Sequence, residues 1–259
     1  MQFWDIFVGF MINILLFIYN TMGQNFGIAI ILFTLLIRAV THPLTVQQMK
    51  GSTAMQDMQK DKRWIDAQAK YKNDKEKLSQ EQMKLYKELG VNPFASCLPT
   101  VIQLPIIIGL YQSVIQSLAS TPLEILKLTS HIYPNFLNAS SLIPLNNRFL
   151  WMDLSRPDLI PIPGMPFSLP ILAIIVVVTT YIQSKLITPP PSNPNDQSSQ
   201  ISGMMNIYMP ILMGWLAYTL ASGLSLYFVA SNVIGIAQYA LIGKVNWRNL
   251  IPSRKPTKA

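Results

Sequence analysis

The sequence predicts an all-α polytopic membrane protein with five transmembrane helices, an N-terminal interfacial helix and a cytoplasmic helical hairpin. Half of the 259 residues are apolar and only 12% are charged, whereas soluble domains carry about 25% charged residues. The mean hydropathy is +0.31. Ten of the 20 Lys and Arg and seven of the 12 Asp and Glu lie between Leu44 and Gly90. The rest of the chain is therefore dominated by long apolar stretches, as expected of a chain that crosses a bilayer repeatedly.

Five stretches have the roughly 20 mostly apolar residues that a bilayer-crossing helix needs. None shows the strict alternation of a barrel strand, and backbone groups in lipid must pair internally, so we predict helices. In chain order the predicted spans are 26–46, 94–118, 167–187, 204–220 and 224–243.

Lys and Arg are divided unequally between the two sides of these spans. The connections after the first and third spans, together with the tail 244–259, carry 16 of them, counting Lys185 at the end of the third span. The other side carries three, all in the loop 119–166. Because cytoplasmic loops carry the excess of positive charge, we predict an N-terminus outside and a C-terminus in the cytoplasm.

The segment before the first span is also apolar, and it has more than one interpretation. Residues 3–22 are long enough for a sixth span or a secretory signal, although Asp5 is the only charge there. A sixth span would reverse the charge assignment, because only Gly23–Asn25 separates this segment from the next span. We therefore prefer an amphipathic helix over 1–25 that lies along the outer membrane surface.

The charged block 47–93 is predicted to form a cytoplasmic helical hairpin, because its apolar residues recur at helical spacing. A solvated connector between two spans is one interpretation of this hairpin. The other is a surface that captures apolar partners, because flexible thioether side chains suit varied contacts. The methionines predicted to serve this capture are Met55, Met58 and Met83.

Three further segments lie outside the predicted spans. The outer loop 119–166 contains seven prolines and should be irregular with short helical turns. The inner segment 188–203, with Pro189–Pro191 and many polar residues, should be mobile. The basic tail 244–259 could bind anionic lipid or ribosomal RNA, although ordinary positive-inside topology also explains its charge.

Arg38 is the most informative residue, because it lies inside the first predicted span. Counted from Phe26 it is about 18 Å along the helix, and an arginine there costs about 2.5–3.5 kcal/mol on insertion scales. None of the five predicted spans contains an acidic residue. Arg38 therefore either extends to the inner surface or faces a water-filled cavity between the helices, where its charge can attract acidic cargo.

Polar side chains in the other predicted spans could line the same cavity. Each alone is more typical of a helix–helix hydrogen bond, worth about 0.6 kcal/mol on average. Their recurrence in four helices is a stronger signal than any single residue. They are Gln103, Gln112, Thr179, Thr180, Gln183, Asn206, Asn232 and Gln238.

Residues suited to catalysis or metal binding are scarce. The single cysteine, Cys97, excludes an intramolecular disulfide and a four-thiolate zinc site. The two histidines, His42 and His131, are far apart in sequence, which disfavours a histidine metal centre. There is no Gly-rich phosphate loop and no pair of intramembrane aspartates. We therefore predict no catalytic residue, no metal and no cofactor.

Several motifs together resemble the YidC family of membrane protein insertases, in the short, Gram-positive-like form of the YidC/Oxa/Alb superfamily. They cover nearly the whole chain in the family's order, with one departure at Ala95 and Ser96, where glycines are usual. The motifs are Thr34–Arg38 with Pro43–Thr45, Leu85–Lys87 with Val91–Pro93, Cys97–Pro99 with Gln103–Ile106, Leu110–Tyr111, Leu150–Leu154, and Gly223–Tyr227 with Ser231–Asn232.

The resemblance implies a non-enzymatic insertase and chaperone of the bacterial plasma membrane. Short polar segments of nascent membrane proteins would cross the bilayer through a hydrophilic groove, and their transmembrane helices would then move sideways into lipid without nucleotide hydrolysis. The family's groove arginine matches Arg38, its substrate-contacting positions match Thr34 and Tyr227, and a further polar position matches Gln183. The groove is expected to comprise Arg38, Thr34, Gln183, Gln103, Asn232 and Tyr227.

Nascent membrane proteins and the lipid bilayer are the partners that this resemblance implies, and we expect a functional monomer. Two further partners stay open: a Sec-type translocon and, through the basic tail, the ribosome. A small transporter or channel in which Arg38 binds an anionic solute is the alternative from another class. Transporters commonly carry internal repeats, and none is visible in this sequence.

Overall fold

A computed structural model describes residues 2–71, 74–90, 98–118, 121–133, 145–161, 164, 168–187 and 197–243. Helices predominate in these ranges. They are α1 Gln2–Thr21, α2 Phe26–Val40, α3 His42–Lys60, α4 Lys62–Lys70, α5 Lys75–Glu88, α6 Leu98–Ser117, α7 Pro122–His131, α8 Ile171–Ile187, α9 Gln197–Thr219 and α10 Ser222–Leu241. The strands are β1 Arg148–Phe149, β2 Met152–Asp153, β3 Ile160–Pro161 and β4 Ser168–Leu169, paired antiparallel as β1–β2 and β3–β4.

The chain divides into two compact units. Unit 1 consists of Met1–Ala39, Ile106–Thr188 and Ser202–Ala259, and unit 2 of Val40–Pro105 and Pro189–Ile201. Unit 1 holds most of the apolar helices and the strands, whereas unit 2 holds the charged helices α3, α4 and α5.

The helix boundaries differ from the predicted spans, most clearly in two places. A smaller difference is that the predicted span 167–187 includes the strand Ser168–Leu169, so that α8 begins only at Ile171. The predicted span 26–46 is divided, because α2 ends at Val40 and α3 begins at His42. A proline at position 43 of one continuous helix would clash with the carbonyl of Ala39, so the chain starts a new helix instead.

The second difference concerns the inner segment 188–203, which the sequence predicts to be mobile. Helix α9 begins inside it, at Gln197. Pro194 is the last proline before this point, so every residue from Gln197 to Gly203 can donate a backbone hydrogen bond. Residues 188–196 and the tail 244–259 lie outside the described part of the chain.

Unit 1 is built around one apolar core to which α1, α2, α6, α8 and α10 contribute. Its central side chains are almost completely buried, and between apolar helices in a bilayer such packing stabilises the fold through van der Waals contact. Representative members are Ile12, Leu15, Phe26, Ile30, Phe33, Leu110, Val114, Val176 and Leu224. The core therefore lies along the first three turns of α2 and the start of α10.

Helix α1 is apolar on both its buried and its exposed side. Ile12 and Leu15 are buried, whereas Phe3, Ile6 and Phe10 are more than half exposed. By length and apolar composition, two helices among the described residues could span a membrane, Phe3–Thr21 and Ser222–Leu241. A third appears if Phe26–Val40 and His42–Gly51 are counted together. The exposed side of α1 is therefore suited to contact with lipid.

Polar side chains of α1 bind the predicted outer loop at two points. The Asn13 amide nitrogen donates to the carbonyl of His131 at 2.7 Å, and its oxygen accepts from the backbone nitrogen of Tyr133 at 2.9 Å. The Tyr19 hydroxyl accepts from the backbone nitrogen of Asn146 at 2.9 Å. Asn13 thereby binds the chain at the end of α7, because its partners His131 and Tyr133 flank the C-cap residue Ile132.

The described residues of the predicted outer loop 119–166 contain more regular structure than short helical turns. Helix α7 begins with a capping box in which Thr121 and Glu124 satisfy each other's backbone nitrogens. The segment around β2 binds the first turn of α10, because the backbone nitrogens of Ser222 and Gly223 donate to the carbonyls of Arg156 and Leu154 at 2.8 and 3.0 Å. These bonds satisfy N–H groups that have no partner within the helix.

Unit 2 has a small core of its own. Met58, Trp64, Leu85 and Tyr86 are buried together, with Leu78 packed against them. The predicted hairpin 47–93 thus contains three described helices, with a break at Asp61.

Charged side chains reinforce this break. The Asp61 carboxylate accepts from the backbone nitrogen of Arg63 at 2.9 Å and pairs with its guanidinium at 3.0 Å. The side-chain hydrogen bond from Arg63 lowers the pKa of Asp61 below its usual value. Arg63 also reaches the Glu88 carboxylate of α5 at 3.1 Å, so the ion pairs connect α4 to α5.

Replacing Asn13 by alanine should destabilise unit 1, because Asn13 is only 2% exposed and binds both sides of the end of α7. We expect Asn13→Ala to lower the free energy of unfolding by about 1–3 kcal/mol, measured by denaturation in detergent. Asn20→Ala, at an exposed position of the same helix, is the matched control. Equal stability of the two variants would contradict this role of Asn13.

Candidate functional site

Arg38 lies in the last turn of α2 and points toward α10. Its Nη2 and Nε atoms lie 2.6 and 3.2 Å from the hydroxyl oxygen of Ser231. Arg38 is half-buried and Ser231 is 7% exposed. The guanidinium is therefore held against a neighbouring helix inside unit 1.

Gly235, one turn beyond Ser231, allows a third helix to reach the same place. A Cβ atom added at Gly235 would lie 2.6 Å from the Gln183 side-chain nitrogen and 3.5 Å from Arg38 Nη2. Gln183 belongs to α8. Arg38, Gln183 and Ser231, from α2, α8 and α10, thus meet at the small surface that the glycine provides. We call these three side chains the Arg38 cluster.

Asn232 joins α10 to α8 beside this cluster. Its side-chain nitrogen donates to the hydroxyls of Thr179 and Thr180 at 3.0 and 2.9 Å, and Asn232 is only 8% exposed. The predicted groove residue Asn232 therefore fixes the helix pair that carries Gln183 and Ser231.

Thr34 and Tyr227 lie one helical turn from the Arg38–Ser231 contact, on the side of the apolar core. Thr34 is completely buried and donates to the carbonyl of Ile30 at 2.7 Å. Tyr227 is 3% exposed. Together with Phe33 these side chains close the Arg38 cluster toward the starts of α2 and α10.

The remaining predicted polar residues divide between other contacts. Gln112 accepts from the indole nitrogen of Trp4 at 2.7 Å and so binds α1. Asn206 accepts from the Ser184 hydroxyl and joins α9 to α8. Gln238 is buried on α10, and the side chain of Gln103 lies outside the described part of the structure.

Sequence reasoning assigned no role to Ser231 or Gly235. The signal for both is their spacing, since Tyr227, Ser231 and Gly235 recur every four residues on one face of α10. Ser and Gly are common in transmembrane helices, where they allow close helix approach. Their spacing alone therefore does not show that an arginine and a glutamine meet there.

The predicted capture methionines occupy different environments in unit 2. Met58 is 1% exposed and contributes to the hairpin core, whereas Met83 on α5 is 48% exposed. The Met55 side chain lies outside the described set. Ile65 and Leu89 are also exposed, by 44% and 39%. Met83 is thus one of several exposed apolar side chains of this unit.

Metal ligands do not cluster among the residues that the structure describes: no group of three or more His, Cys, Asp or Glu side chains there could hold an ion.

Comparison with known proteins places these features in a family. The model of the 60Kd inner membrane protein family matches residues 17–249. The membrane protein insertase MisCA of Bacillus subtilis is 33% identical over 93% of this chain and 79% of its own length. The membrane protein insertase YidC of Clostridium tetani is 32% identical over 88% of this chain and 86% of its own length.

A solved structure is also similar. The crystal structure of an active YidC insertase with its first transmembrane domain resolved has a TM-score of 0.54 and 28% sequence identity over 85% of this chain, which spans 42% of that longer chain. The resemblance of the sequence motifs is confirmed by these matches, and the chain belongs to the 60Kd inner membrane protein family, together with the YidC insertases.

Proposed function

We propose that this protein inserts newly made membrane proteins into the bilayer and assists their folding there, by moving short polar segments across the membrane through a groove at the Arg38 cluster. The observation that carries this proposal is the convergence of Arg38, Gln183 and Ser231 from three helices of one unit. The insertases MisCA and YidC among the relatives support it.

The polar groups of the groove lower the barrier for a client's polar segment. A charged side chain at the bilayer centre costs about 2.5–3.5 kcal/mol on insertion scales. A hydrated groove that opens to the cytoplasm shortens the apolar distance that the client's polar segment must cross. In this proposal the groove closes toward the outside at Phe33, Thr34 and Tyr227, and their burial supports this. Only this remaining layer then opposes passage of the polar segment.

Arg38 supplies attraction for acidic residues in that segment. Two unit charges 4 Å apart interact by about 4 kcal/mol at an effective dielectric constant of 20. Ser231 holds the guanidinium in place, so it acts as a positioning residue for Arg38.

The client's own transmembrane helix supplies the driving force. Each Leu, Ile, Phe or Val contributes about 0.3–0.6 kcal/mol on moving from the translocation site into lipid. About 20 such residues give enough free energy for insertion without nucleotide hydrolysis or ion coupling.

Unit 2 would make the first contact with clients. Met83 and Ile65 present apolar side chains on charged helices, and the methionine thioether adapts to varied apolar segments. Met58 would serve this contact indirectly, because its burial stabilises the hairpin.

We further propose five spans formed by α2, α6, α8, α9 and α10, with α1 on the outer surface, in a bacterial plasma membrane. The contacts of Asn13 and Tyr19 with His131, Tyr133 and Asn146 support this placement, because all three partners belong to the outer loop. The protein would act as a monomer, since one chain supplies the whole Arg38 cluster.

Neutralising Arg38 should slow insertion of clients with acidic translocated segments. We expect Arg38→Gln to lower the initial rate by about tenfold, which corresponds to about 1.4 kcal/mol. The initial rate with Arg38→Lys should lie between those of wild type and Arg38→Gln, because lysine keeps the charge but has no Nε donor for Ser231. The measurement is protease protection of a single-spanning client in liposomes that contain only the purified variant.

The matched control is the same client with its acidic residues replaced by Asn and Gln, which should insert equally with wild type and Arg38→Gln. Equal insertion of the acidic client by wild type and by folded Arg38→Gln would contradict the electrostatic part of the proposal. No insertion above empty liposomes by folded wild-type protein would contradict the insertase proposal itself.

Adding a methyl group at Gly235 should disturb the Arg38 cluster while the fold is retained. The new Cβ would displace the end of the flexible Gln183 side chain, 2.6 Å away. We expect Gly235→Ala to lower insertion of the acidic client several-fold with little change in melting temperature.

Gly203→Ala on α9 is the control, because nothing lies within 4 Å of a Cβ atom there. The effect should depend on Gln183, so adding Gly235→Ala to Gln183→Ala should cause little further loss. If the losses of insertion caused by Gly235→Ala and Gln183→Ala added in full, Gly235 would not act through Gln183.

A further inference from the structure

The turn between β1 and β2 exposes two large apolar side chains on the outer side of unit 1. Leu150 is 75% exposed and Trp151 is 52% exposed. Leu150 also has a φ of +54°, a left-handed conformation that is sterically costly for a residue with a Cβ atom. Two-residue hairpin turns in water favour Asn and Gly at such positions. The pair is therefore poorly suited to an aqueous loop.

The strands hold this turn firmly against two helices. Phe149 packs on the first turn of α2, where a Cβ atom added at Gly27 would lie 2.1 Å from its ring. After the turn, Met152 and Leu154 are buried, and the Leu154 carbonyl accepts from Gly223 at the start of α10. Leu150 and Trp151 are thus held in place by packed strands, so their exposure is a feature of the folded structure.

The surroundings of the turn match a phospholipid surface. Ile28, next to Gly27, is 38% exposed at the start of a proposed span. Arg148 and Arg156 flank the turn. The Arg156 side chain is 82% exposed, although its Nε lies 3.9 Å from the Asp153 carboxylate. The nearby Asp153 carboxylate accepts hydrogen bonds from Asn147 and Ser155 within the loop. An apolar tip between exposed cations complements acyl chains and phosphates together, and tryptophan is enriched at such interfaces.

We propose that the β1–β2 turn is an anchor in the outer lipid leaflet, with Leu150 and Trp151 among the upper acyl chains and Arg148 and Arg156 at the phosphates. This inference rests on the topology under the proposed function, in which the starts of α2 and α10 face outside.

The anchor has a consequence for the groove. Phe149 fixes the β1–β2 turn to Gly27, and Arg38 follows 11 residues later on the same helix, about 16 Å along its axis. Because the turn contacts lipid headgroups, it sets the depth of α2 in the bilayer. It thereby sets how far Arg38 lies below the outer surface.

The test measures the depth of a nitroxide label at position 150. Leu150→Cys is labelled in a Cys97→Ser background and reconstituted in phosphatidylethanolamine–phosphatidylglycerol vesicles. Paramagnetic broadening by oxygen, which concentrates in lipid, is compared with that by a water-soluble nickel complex. Labels at Glu76, exposed on the charged helix α5, and at Ile211, 61% exposed on α9, give the aqueous and the lipid reference.

We expect an oxygen-to-nickel ratio several-fold above that of the Glu76 label and below that of the Ile211 label. Combining Arg148→Gln with Arg156→Gln should shift the ratio toward the aqueous reference. A Trp151→Cys label in the same background provides a second reporter if Leu150→Cys fails to fold.

A ratio equal to that of the Glu76 label would overturn the anchor. Exclusion of both reagents would also overturn it, because a protein partner or a second copy would then cover the turn. The label reports position without any client, so insertion assayed in the same vesicles distinguishes failure of this inference from failure of the proposed function.

Discussion

The contact between Arg38 on α2 and Ser231 on α10 is the interaction on which the candidate site depends. A guanidinium inside an apolar helix is stable only where polar groups or water replace its hydration. Ser231 accepts from two of its nitrogens, and Gly235 leaves room for the Gln183 amide beside it. Substitution of Ser231 or Gly235 would change the environment of the Arg38 charge, although neither residue is charged itself.

The asymmetry of the site follows from where the apolar core lies. The first turns of α2 are buried at Phe26, Ile30 and Phe33. The start of α10 is buried at Leu224 and Tyr227. Arg38 and Gly235 come only after this layer along their helices. The segment that follows β2 adds to the closure, because the carbonyls of Leu154 and Arg156 accept from the N–H groups of Gly223 and Ser222 at the start of α10. One half of the helix group is thus packed as a core, and the polar cluster belongs to the other half.

Sequence reasoning could find Arg38 because a charge within an apolar stretch is visible along the chain itself. The pattern of polar residues could not tell which of them accompany Arg38, since that depends on helix rotation, and Gln183 was expected there only from the family resemblance. Gln183 reaches the cluster, whereas Gln112 binds Trp4 on α1. Sequence reasoning also did not predict the break before Pro43 or the start of α9 at Gln197. Both depend on local backbone geometry that apolar composition does not report.

The most direct test of the central claim is photo-crosslinking of a client that is arrested during insertion. A photoreactive amino acid at Gln183 is compared with one at Ile174, which is 48% exposed and lies nine residues earlier on α8, about 180° around the helix. If clients pass the Arg38 cluster, their polar segment should crosslink to position 183 and not to position 174. Equal crosslinking at both positions, or insertion without crosslinks at position 183, would contradict the account.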